Sequence, residues 1–136
     1  MAPHTSTPSI SQEQAEQLAK QNLLGIFGER DTTKRLAQMQ ATYDENIAFY
    51  DPDKLISGFD TINGFISQLL DSNPGWTFRP RGNVWINSDL IMLEWEFGPA
   101  GQAAPVRGND IMFVNGEGKI GKMYTMIQGV SDVGHV

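Results

Sequence analysis

Asp110 stands in a strand-like run, Pro105 to Val114. There Val106, Gly108, Asp110, Met112 and Val114 share one face, and Arg107, Asn109, Ile111 and Phe113 share the other. The face that carries Asp110 is otherwise apolar or small. An ionised carboxylate buried there without a partner is costly, so such a group shifts its pKa upward and stays protonated. A neutral carboxylic acid is in turn a donor suited to a developing oxyanion. The plainer alternative puts Asp110 near the solvent end of its strand, or pairs it with Arg107 or Lys122. Asp51 follows the short apolar strand Ile47 to Tyr50 and precedes Pro52, where an Asp side chain commonly caps its own turn. Few other groups could do acid–base work. The chain has no cysteine, which excludes thiol catalysis, disulfides and cysteine-rich zinc sites. Its two histidines, His4 and His135, sit near the chain ends, so a catalytic histidine is not expected. Asp51-Pro52-Asp53 lacks calcium-loop spacing and Asn115-Gly116-Glu117-Gly118 is a turn signal, so no metal or cofactor is expected.

The elements that must position these residues follow from periodicity. Ala15, Leu18, Ala19, Leu23, Ile26 and Phe27 recur at helical spacing, which predicts one helix from Ser11 to about Arg30, with Ser11 and Gln14 as a capping box. Asp31 or Thr32 caps a second helix over 33–43, with Leu36, Met39, Gln40 and Tyr43 on one face. The Tyr43 ring then belongs to the core, and its hydroxyl needs a partner or a pocket. Asp60 caps a third helix carrying Ile62, Phe65, Ile66, Leu69 and Leu70, ended by Asp71-Ser72-Asn73-Pro74-Gly75. From there the period is two. Trp76–Arg79 and Asn83–Ile86 form one bent strand or a broken pair; Leu90–Phe97, Pro105–Val114 and Lys119–Ile127 follow. In Leu90–Phe97 the residues Ile91, Leu93, Trp95 and Phe97 point one way, and Glu94 and Glu96 lie on the solvated side. Phe65, Trp95 and Phe97 with Met112 and Met123 are core residues first, although methionine-rich linings suit adaptable apolar sites. Helices first and meandering strands later give an α+β fold, helices on one face of a curved antiparallel sheet, with room for a ligand between the layers.

Composition narrows the classes. The chain has 136 residues, 40% hydrophobic and 19% charged, consistent with a single globular domain over 11–128 between tails at 1–10 and 129–136. Its net charge of −6 argues against a nucleic-acid partner. No run of 18 apolar residues is present, so no membrane span is expected, and the first residues lack a basic and an apolar signal segment, which points to the cytoplasm.

The segment Tyr43-Asp44-Glu45-Asn46-Ile47-Ala48-Phe49-Tyr50-Asp51-Pro52, then Gly58 and the Ile62/Phe65 helix, resembles the NTF2-like superfamily. Gly108-Asn109-Asp110-Ile111-Met112-Phe113-Val114, followed by Gly118-Lys119-Ile120, adds to it, and the likeness runs from about residue 12 to residue 128. It is most similar to the SnoaL-like and ketosteroid-isomerase-like branches. The resemblance implies a cone in which three helices close a strongly bent antiparallel sheet around an apolar cavity, and a homodimer through the sheet's outer face. It implies a general base at Asp51, a protonated oxyanion-hole acid at Asp110 and a supporting hydroxyl at Tyr43. Phe65, Ile91, Leu93, Trp95 and Met123 match cavity-lining positions. Where the isomerases keep a tyrosine donor on the first helix this chain has Leu23-Leu24, and Ile66 replaces a second tyrosine. Two functions follow. One is a cofactor-independent isomerase or polyketide-cyclase-like enzyme moving protons on an apolar cyclic carbonyl compound. The other is a non-catalytic module that binds a small apolar ligand or dimerises. They separate on whether both carboxylates line one open cavity and whether Asp110 lacks a cationic partner.

Overall fold

Ser11 opens the first helix, α1 (Gln12–Lys20), its Oγ accepting the Gln14 backbone N–H at 3.0 Å. The structure, a computed structural model, describes residues 10–129. The expected tails at 1–10 and 129–136, and both histidines, lie outside the described residues, except that Ile10 packs on the core and Gly129 ends the last strand. The expectation of one regular helix to Arg30 is corrected. From Gln21 to Phe27 the chain winds as a π-helix, closed by the Gly28 N–H on the Leu23 carbonyl five residues back at 2.9 Å. Asn22, Leu23, Ile26 and Phe27 all turn inward from this segment.

Asp31 Oδ1 accepts the Lys34 N–H at 3.1 Å and starts α2 (Thr32–Thr42). Tyr43, expected on that helix, is instead the first residue of β1 (Tyr43–Asp51), because the backbone is already extended there (φ −102°, ψ 146°). β1 turns through Pro52-Asp53 into β2 (Lys54–Ser57), a hairpin arm not anticipated. α3 (Phe59–Asp71) is not capped by Asp60. Gly58 takes the cap position at φ +82°, a conformation that favours glycine, and Asp60 sits in the first turn. Ile62, Ile66 and Leu70 are the buried side of α3.

β3 (Trp76–Asn87) is one strand whose pairing is irregular between Arg81 and Trp85, where Gly82 has φ +79°. β4 (Leu90–Pro99), β5 (Val106–Val114) and β6 (Ile120–Gly129) complete a curved six-stranded sheet in the order β2-β1-β6-β5-β4-β3. The purely antiparallel sheet expected from sequence is corrected to a mixed one. β6 returns beside β1 after three antiparallel steps and runs parallel to it, pairing Phe49 with Met123 and Tyr50 with Tyr124. The fold is α+β, three helical elements on one face of the sheet. The core forms between them from Ile26, Met39, Ile47, Phe49, Ile91, Met112 and Met123, among others.

Candidate active site

Asp110 sits mid-strand on the inner face of β5 with 6% of its surface exposed. Two donors meet its Oδ1: Trp95 Nε1–H from β4 at 2.9 Å and Thr125 Oγ1–H from β6 at 2.7 Å. Asn22 Nδ2–H, from the π-helical segment, donates to Oδ2 at 3.2 Å. The amide of Asn22 is oriented by a further hydrogen bond, from Tyr43 O–H to Asn22 Oδ1. A phenol donates there, so the Asn22 oxygen faces Tyr43 and its NH2 faces Asp110. Trp95 can reach across because it lies over Gly108, its register partner. A Cβ at Gly108 would stand 2.1 Å from Trp95 Cζ2.

Neither Arg107 nor Lys122 pairs with Asp110. Arg107 and Lys122 belong to the outer face, and among the described residues the ion pairs are Arg79 and Arg81 with Glu96. Burial pushes the Asp110 pKa up to about 6, and the hydrogen bonds from Thr125, Trp95 and Asn22 oppose the rise. At pH 7 a group of that pKa is protonated in about one molecule in ten. The permanently neutral acid expected from the strand pattern therefore needs a larger shift than three converging donors allow. Burial, then the nearby Asp110 charge, raises the Tyr43 phenol well above its ordinary value, so it remains a donor.

Asp110 opens onto a cavity of about 260 Å³ that Asp51 also lines. One step beyond the Tyr50–Tyr124 pair, Asp51 comes alongside Thr125, which is itself paired with Asp110. Carrying the register one residue further sets both carboxylates on one inner row with Thr125 between them, two strand spacings or about 10 Å apart at their Cα atoms, and the Thr125 hydroxyl is turned to Asp110. Asp51 also accepts the Asp53 N–H at 3.3 Å, so it caps its turn while half-exposed to the cavity. Edge-to-face contacts order the walls: Phe49 with Phe27 and Phe65, and Phe78 with Trp95. Among the described residues no three His, Cys, Asp or Glu side chains gather in a group able to hold a metal ion.

A model of the NTF2-like domain matches residues 8–127. The chain belongs to the NTF2-like family. Among solved structures, a SnoaL-like family protein from Agrobacterium tumefaciens, provisionally classed as an isomerase, superposes with a TM-score of 0.79 at 21% identity, over 86% of this chain and 99% of that one. A SnoaL-like protein from Jannaschia, provisionally classed as a polyketide cyclase, gives 0.71 at 12% identity, over 91% and 92%. A de novo designed protein with a curved β-sheet gives 0.67 at 12% identity, over 88% of each chain. Identities this low establish the shared fold. No curated protein matches the chain.

Within this NTF2-like cone the predicted residues divide. Asp51, Asp110, Phe65 and Trp95 line the cavity. Tyr43, Ile91, Leu93, Met112 and Met123 do not. Ile91, Met112 and Met123 are fully enclosed in the core, Leu93 faces a separate groove beside Leu24 and Pro80, and the Tyr43 hydroxyl is taken up by Asn22. Phe27, Phe49, Leu69, Trp76, Phe78 and Thr125 line the cavity and were not singled out by sequence. Asn22 was missed although a signal existed. It fills a slot in the stripe Ala15, Leu18, Ala19, Asn22, Leu23, Ile26, Phe27, where a polar residue at 0% exposure must find partners.

Proposed function

We propose that this NTF2-like protein is a cofactor-independent proton-transfer enzyme, an isomerase or cyclase of apolar cyclic carbonyl compounds. The observation that carries the reading is Asp110, a buried carboxylate with three neutral donors and, among the described residues, no cationic partner, facing a cavity shared with Asp51. A general acid–base group works best with a pKa near the operating pH, and about 6 meets that condition. Asp110 takes a proton from carbon next to the substrate carbonyl and returns it at another position. Asp51, at the other end of the row, is the second carboxylate for that exchange. Trp95, Thr125 and Asn22 hold Asp110 without taking part. The reaction needs no metal or cofactor. In this reading the enzyme works in the cytoplasm on a small apolar molecule, as a homodimer through the outer sheet face.

A second reading, a non-catalytic ligand-binding module, draws on one specific observation: the Asp51 carboxylate is engaged in capping its own turn. Carbon-bound hydrogen exchange decides between them. In D₂O, the α-protons of a bicyclic ketone such as 2-tetralone should exchange faster with the protein present, followed by ¹H NMR. Asp110→Asn should remove at least about 10² of that acceleration. Exchange that is not accelerated across a panel of cyclic ketones leaves the binding module as the function, and acceleration that survives both Asp110→Asn and Asp51→Asn overturns the assignment of the chemistry to these carboxylates.

A further inference from the structure

The cavity carries formal charge of one sign. Its ionisable lining groups are Asp51 and Asp110, and among the described residues no Lys or Arg lines it and no ion pair reaches either carboxylate. Around Asp110, every packed element offers an uncharged group: Asn22 from the π-helical segment, Tyr43 from β1, Trp95 from β4 and Thr125 from β6. Two carboxylates in an apolar enclosure create a negative potential far deeper than they would in water. The walls add to it. Seven aromatic side chains line the cavity, and any ring that turns its face to a bound cation attracts it through the ring quadrupole. One of these rings already attracts a cation: Lys54 Nζ stands 5.8 Å from the Phe65 centroid. Buried charges in proteins are ordinarily paired. Among the described residues Asp110 is met by three neutral donors and no ion pair, while Lys54, the register partner of Asp51, stands at the cavity rim over Phe65 and forms no ion pair with Asp51.

We propose that the cavity takes a compact organic cation, an amine carried on one or two rings. The proposal rests on the cavity being the substrate site, and it adds to the cyclic carbonyl substrate proposed above a basic nitrogen, so that the ligand is apolar in its rings and charged at one end. Size sets the ring count. A cavity of about 260 Å³ holds about nine waters at ~30 Å³ each, the bulk of roughly ten non-hydrogen atoms. That is the bulk of a bicyclic skeleton seated within the walls; a larger ligand would extend through the open mouth. Carboxylates, phosphates and sulfates are turned away, because they would meet two like charges and, among the described residues, no cation in the cavity lining.

Proton linkage gives the proposal a second signature. A cation near Asp110 favours its ionised form, so cation binding tightens as pH rises through about 6. A neutral ligand that accepts a hydrogen bond from protonated Asp110 has the opposite slope.

Three naphthalene probes test this by quenching of the cavity tryptophans Trp76 and Trp95: 2-naphthylmethylamine, 2-naphthalenemethanol and 2-naphthoate. Near pH 7.5 the amine should bind at least about tenfold more tightly than the alcohol, with the naphthoate not binding. The margin should shrink near pH 5, and it should narrow in Asp51→Asn. Equal binding of amine and alcohol overturns the cation proposal while leaving the cavity as a ligand site. No binding by any probe overturns both, and ketone exchange by the protein in that case would place the chemistry elsewhere.

Discussion

At the scale of single residues, Asp110 is where burial and hydrogen bonding pull hardest against each other. Its folded pKa of about 6 lies above the ordinary 3.8, so the folded protein holds this proton more tightly than the unfolded chain does. The sign follows from linkage: the contribution to stability is complete below pH 4, declines as pH climbs through 6 and is absent above it. Two pKa units correspond to roughly 3 kcal/mol. Urea unfolding at several pH values should therefore show wild type losing about that much between pH 4 and 7 relative to Asp110→Asn, which has no proton to release. Parallel pH profiles for the two proteins would mean that Asp110 is solvated. The same residue shows what pattern alone conveys. Its place on an apolar strand face marked it as unusual, because period two assigns faces without knowing partners. The three donors come from elements 15 to 88 positions away, and no local signal couples Asn22 to Asp110.

At the scale of elements, helix and strand positions were largely legible, because α3 and β4 bury one face each at their own period. What was not legible is what tertiary packing decides. The π-helical winding of Gln21–Phe27 leaves the same residues apolar as a regular helix would, yet it is this segment that supplies Asn22 to the site. Tyr43 fits helical spacing after Met39, and it starts a strand only because β6 is there to pair with it. The cavity wall was only partly legible for the same reason. Ile91, Met112 and Met123 share the inward face with Trp95 and Asp110, but α-helical cover closes over them and leaves the aromatic end open. The β4–β5 pair yields a prediction at this scale. Gly108 is the space into which Trp95 lies, so Gly108→Ala must drive the indole aside. We expect a loss of about 1–3 kcal/mol in stability. The Trp95 Nε1–H resonance should move upfield as its bond to Asp110 breaks, and the Asp110 pKa should rise with one donor gone. An unchanged indole resonance would show that the strand pair gives way instead.

At the scale of the whole molecule, the outer sheet face bears on the proposed homodimer. The register lines up Leu55, Tyr50, Tyr124, Ile111, Met92 and Trp85 as one row across all six strands. Trp85 is 66% exposed, and Tyr50 and Tyr124 stack with centroids 4.6 Å apart. Such a row in a chain of net charge −6 leaves an apolar strip that two copies can cover mutually, each contributing the same surface about a two-fold axis. Six strands about 4.8 Å apart, from the four residues of β2 to the twelve of β3 and averaging about 30 Å long, give a whole face of roughly 700 Å² per copy, close to the ~800 Å² of a stable interface. Trp85→Glu with Tyr124→Glu places charges at two points of this strip and should convert a dimer to a monomer in sedimentation velocity. Both side chains point away from the concave face, so the cavity and the Asp110 network should survive, with probe binding and the Asp110 titration unchanged. If the double variant sediments as wild type does, the row is not the contact. If it dissociates and also loses the Asp110 titration, the cone itself depends on the second copy, and the cavity is a property of the dimer.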